Sequence, residues 1–298
     1  MMQMNQAIEK ADVLIEAMKW IRSHRGKMIV IKIGGSLIED EVAMTHLLLD
    51  TVFMESVGMR PVIVHGGGKA ISDAMQSAGI EPRFVQGRRY TDGASLDIVK
   101  RVLGKEICEQ LVHNIDMFEG QAKPLSMCFD SNVLFGKKLT LIDEFGGAVD
   151  MGWVGTVIKV DTATILELCE QEIVPIIPSL ALMDDGSGQA LNVNADTAAT
   201  AVAKELRAEK LVYVSDVNGV RTNPDDPKSM IDSITAEQAQ NMLKSGAISG
   251  GMIPKIQACL ETLERGVQKI HIINGRIRHA LLLEIFTSMG VGTEITGQ

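Results

Sequence analysis

Two short apolar runs, each ending in a glycine loop, constrain this chain more than any other feature. Met28–Ile33 (MIVIKI) runs into Gly34-Gly35-Ser36, and Pro61–His65 (PVIVH) runs into Gly66-Gly67-Gly68-Lys69. Glycine permits backbone angles and close approaches that a side chain would obstruct. A glycine turn between strand and helix therefore lets N–H groups face an anion, and the helix N-terminus adds partial positive charge. One such loop is a weak signal. Two in one α/β pattern, the first preceded by Lys32, point to a phosphate-handling site.

The remaining pattern sets the fold class. Strand-like runs at 28–33, 61–65, 124–129, 173–178, 211–215 and 269–273 alternate with helical runs. The helical runs are 42–57, 69–78, 94–116, 161–171, 195–207, 235–245 and 253–265. This alternation predicts an α/β fold with a mainly parallel sheet covered on both faces. Residues 130–159 differ. Short apolar runs with Gly136, Gly146, Gly147, Gly152 and Gly155 predict an antiparallel excursion of hairpins.

Apolar residues at three- and four-residue spacing (Ile8, Ala11, Leu14, Ile15, Met18, Ile21) predict an amphipathic helix over 6–24. It folds back on the domain or packs on another subunit. The polar turn at 184–190 (DDGSGQA) is a soft lobe boundary. The expected division is therefore an N-terminal helix at 1–26, a lobe at 27–189 and a second lobe at 190–298.

With 298 residues and a net charge of −9, a general nucleic-acid-binding role is not expected. No apolar run approaches the ~20 residues of a membrane span, and the opening residues lack a signal-peptide pattern, so a cytoplasmic protein is expected. Cys108, Cys128, Cys169 and Cys259 lack CxxC spacing and read as reduced, mainly buried thiols. No His/Cys cluster suggests a resident metal.

Several residues stand out chemically. Lys32 lies in an otherwise apolar strand, where an unpaired cation is costly, so it needs an anion or carboxylate partner. Lys255 follows Ser249-Gly250-Gly251 and Pro254 at a helix start, where a cation opposes the helix dipole. A bound phosphate would make sense of that placement. Asp196 heads a small-residue helix in NVNADTAA, where it also suits ordinary capping. Arg89, or its neighbour Arg88, suits a two-pronged carboxylate contact. Ser215–Val220 follows a strand, at the end of an open sheet where ligands bind.

Taken together, KIGG (32–35), VHGGGKAI (64–71), GRRYTD (87–92), NVNADTAAT (192–200), SDVNGV (215–220) and SGGMIPKIQACLETLERGVQKIHIINGR (249–276) resemble the amino acid kinase family. The resemblance implies a three-layer αβα sandwich on a central, mostly parallel eight-stranded sheet. It implies an N-terminal lobe that binds an acetylated amino acid and mediates dimerisation, and a C-terminal lobe that binds ATP. The implied reaction phosphorylates the side-chain carboxylate of N-acetyl-L-glutamate in arginine synthesis, with Mg²⁺ carried by ATP. Lys32 and Lys255 would stabilise the transferring phosphoryl group from opposite sides, and Asp196 would hold both lysines.

By the same resemblance, Gly34, Gly35 and Gly67 would donate backbone N–H bonds to phosphate and substrate oxygens, with Gly66 beside them. Arg89 and Asn192 would hold the amino-acid part. Ser215, Asp216, Val217, Gly219, Gly251 and Met252 would bind ATP. The segment HALLLEIFTSMGVGTEI (279–295) is similar to the arginine-binding signature of feedback-inhibited members, in which an N-terminal helix interlaces three dimers into a hexamer. Trp20, Glu284, Gly290 and Gly292 would form that arginine site. The chain departs from close members at Ser36-Leu37, at 124–138 and at Trp20, where a tyrosine is usual. Two other readings stand beside this one: a kinase for another carboxylate of aminoadipate or aspartate type, and a non-catalytic arginine-binding subunit.

Overall fold

Strand β1 (Met28–Ile33) lies at the middle of the molecule because both of its faces are apolar. Ile29, Ile31 and Ile33 pack on one side, with Met28 and Val30 on the other. In chain order the other strands are β2 (Arg60–His65), β3 (Phe84–Val85), β4 (Arg88–Arg89), β5 (Ala122–Pro124) and β6 (Leu134–Lys138). Next come β7 (Leu141–Ile142), β8 (Ala148–Val149), β9 (Val154–Val160), β10 (Val174–Pro178), β11 (Leu180–Met183) and β12 (Ala190–Val193). The last are β13 (Lys210–Ser215), β14 (Ser233–Thr235), β15 (Lys269–Asn274) and β16 (Thr293–Thr296).

The helices are α1 (Met2–His24), α2 (Gly35–Ile38), α3 (Glu41–Ser56), α4 (Gly68–Ser77), α5 (Gly93–Arg101) and α6 (Cys108–Asp116). They continue with α7 (Thr162–Glu170), α8 (Ala195–Glu205), α9 (Ala236–Ser245), α10 (Met252–Glu264) and α11 (Ala280–Phe286). This computed structural model describes residues 2–142, 146–223, 226, 229–248, 252–287 and 290–297.

Eight strands form one sheet in the order β14-β16-β15-β13-β1-β2-β10-β5. Neighbours run parallel except β15 and β16. Side-chain alternation along the strands builds two cores, one on each face. Val30, Val62, Val64 and Leu211 pack with α7, α8 and α10; Ile31, Ile63, Val212 and Ile273 pack with α3, α5, α6 and α11. This is the expected three-layer αβα sandwich.

The antiparallel excursion is also present. β6 pairs with β9 and β7 with β8, both antiparallel. β11 and β12 join β6 and β9 in a small closed four-stranded barrel, which the sequence pattern did not signal. The expected lobe boundary at 189/190 falls in the turn between β11 and β12, a paired hairpin.

Two expectations need correction. The strand expected over 124–129 ends at Pro124, and Met127–Phe129 forms a 3₁₀ turn instead. Ser126 Oγ accepts the Cys128 N–H there, a local bond that competes with strand pairing. The helix expected over 94–116 is interrupted by a π-helical turn at Val102–Ile107. Gly104 sits in it with the Cys128 sulfur so close that a Cβ would come within 2.8 Å.

Cys108, Cys169 and Cys259 are buried and Cys128 is exposed, all as free thiols. Among the described residues no helix is long and apolar enough to cross a membrane. Helix α1 leaves Ile8, Val13, Leu14, Ile15 and Met18 exposed to solvent.

Candidate active site

The period-two alternation of β1 puts Lys32 on the same face as Met28 and Val30, the face that α8 covers. Helix α8 begins there because Asn194 caps it, accepting the Thr197 N–H at 3.0 Å. Such a cap contributes about 1 kcal/mol. Asp196 then falls in the first turn, and Lys32 Nζ meets Asp196 Oδ1 at 2.8 Å. The lysine therefore has the carboxylate partner that its position in an apolar strand demands.

Lys255 arrives from the first turn of α10. A small cavity of about 20 Å³ is lined by Lys32, Asp196, Tyr213, Ser215 and Lys255. Burial holds the Lys255 ammonium below its ordinary pKa; Asp216 and Asp196 oppose that shift and Lys32 adds to it. Lys32 and Lys255 thus converge with Asp196, and Asp216 lies close enough to act on Lys255; the two ammonium groups offer N–H donors that suit a polyanionic ligand.

The elements that carry these groups are tied together behind the site. Thr262 of α10 donates its hydroxyl to the Ala258 carbonyl at 2.6 Å. It therefore accepts from Thr200 of α8 at 2.7 Å, and Thr200 in turn accepts from Tyr213 of β13 at 3.1 Å. Tyr213 is also the β13 neighbour of Lys32 in register. All three hydroxyls are buried, and each spends its single hydrogen.

The two glycine loops meet beside Lys32. A Cβ at Gly35 would lie 2.8 Å from the Gly68 nitrogen, so this approach requires glycine. A Cβ at Gly67 would lie 2.6 Å from Leu103 and Ile107 side-chain carbons. The N–H groups of Gly35 and Gly68 open helices and have no acceptor within them. Gly34 departs from expectation: its N–H donates to the Val214 carbonyl at 3.0 Å and is committed to the sheet. The Gly66 N–H points to the Ile33 carbonyl at 3.4 Å.

A cavity of about 220 Å³ opens over these loops. Gly35, Gly66, Gly67, Arg89, Asn192 and Asp196 all line it, with Lys32 at its base. Arg89 is buried and already engaged. Its guanidinium donates to the Gly68 carbonyl and to Ser72 Oγ, both at 2.7 Å, and stacks 4.8 Å from the Phe84 ring. Burial pulls its pKa below the ordinary arginine value. Arg89 thus braces the glycine loop, and Arg88 is the second guanidinium lining the cavity.

A second cavity of about 320 Å³ is lined by Asp216, Val217, Asn218, Gly219, Val220 and Met252, among others. Gly219 has a φ of +78° and lies against Thr293, leaving no room for a side chain. Ser215 lines the small lysine cavity instead. Gly251 lies outside the described residues. Among the described residues no group of three or more His, Cys, Asp or Glu side chains is placed to hold a metal ion.

Trp20, Glu284, Gly290 and Gly292 come together as well, around a third cavity of about 490 Å³. The Glu284 carboxylate is not free there. His271 Nδ1–H donates to one oxygen at 2.6 Å, and the Val291 and Gly292 N–H groups donate to the other at 2.8 and 3.1 Å. Burial raises the Glu284 pKa, but these donors outweigh it and leave the carboxyl below its ordinary value. Lys210 Nζ donates to His271 Nε2 at 3.0 Å, and Lys269 reaches Glu294 at 3.1 Å. Burial holds both Lys210 and His271 below their ordinary pKa values.

Lys210 and His271 were missed from the sequence. The signal was present: each is an ionisable residue in a largely apolar strand, an anomaly of the kind that marks Lys32.

Comparison with known proteins agrees with this geometry. The sequence pattern of the Amino acid kinase family matches residues 27–274. An acetylglutamate kinase from Akkermansia muciniphila is 43% identical over 293 residues, covering 98% of this chain and 97% of that one. One from Methanocaldococcus jannaschii is 42% identical, covering 99% of both chains. Among solved structures, N-acetylglutamate synthase from Neisseria gonorrhoeae, complexed with coenzyme A and N-acetyl-glutamate, superposes with a TM-score of 0.84 at 26% identity. That match covers 97% of this chain and 63% of the synthase. Fold, converging lysines and full-length likeness to acetylglutamate kinases lead to one conclusion: the chain belongs to the amino acid kinase family.

Proposed function

We propose that this chain uses ATP to phosphorylate the side-chain carboxylate of N-acetyl-L-glutamate, a step of arginine biosynthesis. One observation carries the reading. Lys32, Asp196 and Lys255 line a single small cavity, and Lys32 and Asp196 also line the cavity over the glycine loops. The amino-acid substrate occupies the cavity over the glycine loops, and the nucleotide occupies the one beside Asp216–Val220.

The chemistry fits what the site contains. A side-chain carboxylate has a pKa near ~4.3 and is ionised at neutral pH, so the reaction needs no general base. A carboxylate oxygen attacks the γ-phosphorus, the bond from that phosphorus to the β–γ bridging oxygen breaks, and ADP leaves. The product is an acyl phosphate. Catalysis is in-line positioning plus neutralisation of charge on the phosphate oxygens. Lys32 and Lys255 supply the cations, Asp196 fixes Lys32, and the Gly35 and Gly68 N–H groups supply further donors. These donors suit phosphate rather than a metal, so Mg²⁺ enters bound to the nucleotide and supplies additional charge neutralisation there.

The third cavity supports a finer reading: arginine inhibits the enzyme from this pocket. Acidic Glu209, Asp232 and Glu294 and basic Lys210 and Lys269 line it together. A wall of both signs suits a zwitterionic amino acid with an additional cationic end. The exposed apolar stripe of α1, with Trp20 in the pocket wall, supports an assembly in which α1 packs on another subunit, joining three dimers into a hexamer.

A hydroxylamine trap for acyl phosphate tests both readings, using ATP and Mg²⁺ with N-acetylglutamate, aspartate, glutamate or aminoadipate. Signal with N-acetylglutamate that arginine suppresses is the expected result. Signal that arginine leaves unchanged removes the inhibitor. Signal only with another carboxylate replaces the substrate. Arginine binding without turnover makes the chain a regulatory subunit.

A further inference from the structure

Thr91 lies behind the substrate cavity, fully buried, at a junction of three segments. Its N–H donates to the Met151 carbonyl at 3.2 Å, and its carbonyl accepts the Trp153 N–H at 2.6 Å. The Trp153 carbonyl in turn accepts the Asn192 N–H at 2.8 Å. Gly152, with a φ of +66°, passes so near the Thr91 carbonyl that no Cβ fits. The backbone frame around Thr91 and Asn192 is therefore fixed, and the side chains have little freedom to rearrange.

The Thr91 hydroxyl makes two bonds within this frame. It lies 3.0 Å from the Arg89 main-chain carbonyl and 3.0 Å from Asn192 Nδ2. A hydroxyl has one hydrogen and two lone pairs. The Arg89 carbonyl can only accept, so the hydrogen goes there. Thr91 Oγ1 must then accept from Asn192, and only the NH₂ end of the Asn192 amide can donate. The reversed amide would set its oxygen against the oxygen of Thr91, or force Thr91 to abandon the Arg89 carbonyl. The amide orientation of Asn192 is thus dictated by a residue that does not line the cavity.

The consequence falls on the ligand. Asn192 lines the substrate cavity, and with Nδ2 held by Thr91 it offers Oδ1 as an acceptor. We propose that Thr91 is a positioning residue for substrate selectivity: by locking Asn192 it makes the site select an N–H donor on the acylated carbon. An amide-linked acyl group supplies that donor. An ester-linked acyl group of the same shape places an oxygen against Oδ1 and is repelled. This inference rests on the N-acetylglutamate reading above and adds the group that enforces it.

The test compares N-acetylglutamate with its oxygen ester isostere, 2-acetoxyglutarate, as substrates for the full-length enzyme. The readout is the ratio of their kcat/KM values. Leaving one polar partner unmatched costs about 1–3 kcal/mol, so the wild type prefers the amide by roughly 5- to 150-fold. Thr91→Val removes the hydroxyl at nearly constant volume and frees Asn192 to turn its NH₂ towards the ester. The ratio should then fall at least ~5-fold, and Thr91→Ser should restore it.

Thr91→Ala repeats the measurement without branched bulk if the valine variant folds poorly. A residue that merely supports the fold would lower both substrates equally and leave the ratio unchanged; that result overturns the proposal. A wild type that does not discriminate between the two also overturns it. A wild type with no turnover of N-acetylglutamate overturns the parent reading instead.

Discussion

His65 offers the most quantitative test of how this site is supported. It closes β2, points into the core away from α8, and is completely buried. Its Nδ1–H donates to the Gly66 carbonyl at 3.0 Å, and Nε2 lies 3.4 Å from the Cys108 sulfur. Burial drives its pKa down from 6.5 to about 4, with the Gly66 carbonyl pulling the other way. The same burial pushes the Cys108 thiol up to about 12, so it remains an S–H group, and it donates to the Leu103 carbonyl at 3.3 Å. His65 is therefore neutral in the fold and basic when the chain unfolds.

The sign follows from proton binding. Between pH 6.5 and about 4 the unfolded chain binds a proton that the folded chain does not, so stability falls with pH across that window. At roughly 1.4 kcal/mol per pKa unit the full effect is about 3 kcal/mol, with about 2 kcal/mol gone by pH 5. Urea unfolding at pH 7, 6 and 5 should show the loss, and His65→Asn should flatten the slope by that amount. Histidine NMR on the folded protein provides the direct check. A neutral Nδ1–H tautomer at pH 5.5 is expected. A His65 resonance that titrates near 6.5, or a variant with an unchanged slope, refutes the reasoning.

Other outcomes follow from the same geometry. Lys32→Met should leave the fold intact and lower kcat by roughly 10²–10³-fold in the hydroxamate assay, as loss of one preorganised charge does; near-normal turnover would remove Lys32 from the mechanism. Gly35→Ala should cost about 10- to 100-fold in kcat/KM, because its Cβ meets the Gly68 backbone at 2.8 Å rather than a movable side chain. Thr262→Val should lower unfolding stability by about 1–3 kcal/mol in urea, since it leaves the Thr200 hydroxyl without its acceptor, whereas Thr262→Ser should recover it. Removing residues 1–24 should yield dimers by light scattering and weaken inhibition by arginine; a persisting hexamer would refute the role of α1 in assembly.

The sheet and the placement of Lys32 were legible because parallel strands buried on both faces read as continuous apolar runs. A charge within such a run is conspicuous, and Lys32 is visible for that reason. The small barrel was not legible. Its strands are short, and Gly136 and Gly155 are selected by close contacts with Thr156 and Leu191 from other strands, a tertiary cause that leaves no local pattern. Hydrogen-bond direction was equally hidden. Thr91, Thr200 and Thr262 are ordinary threonines in sequence, and only their partners make them informative. Gly34 shows the converse: a glycine beside a phosphate loop reads as a donor, yet the sheet has already claimed its N–H.

The register of β1 also governs how the molecule is made. Its partner on one side, β2, leaves the ribosome soon after it, but on the other side Ile29 pairs with Lys210. At roughly 5–20 residues per second, β1 waits on the order of 10–40 s for that edge to be filled. Through that interval a nascent chain presents an apolar strand edge, the kind of surface that seeds wrong pairing between chains. Lys32 and Asp196 cannot meet until the wait is nearly over, so their ion pair is among the last features to form. A truncated product lacking β13 carries the glycine loops but keeps that edge open, and it is a substrate for chaperones rather than a half-active enzyme.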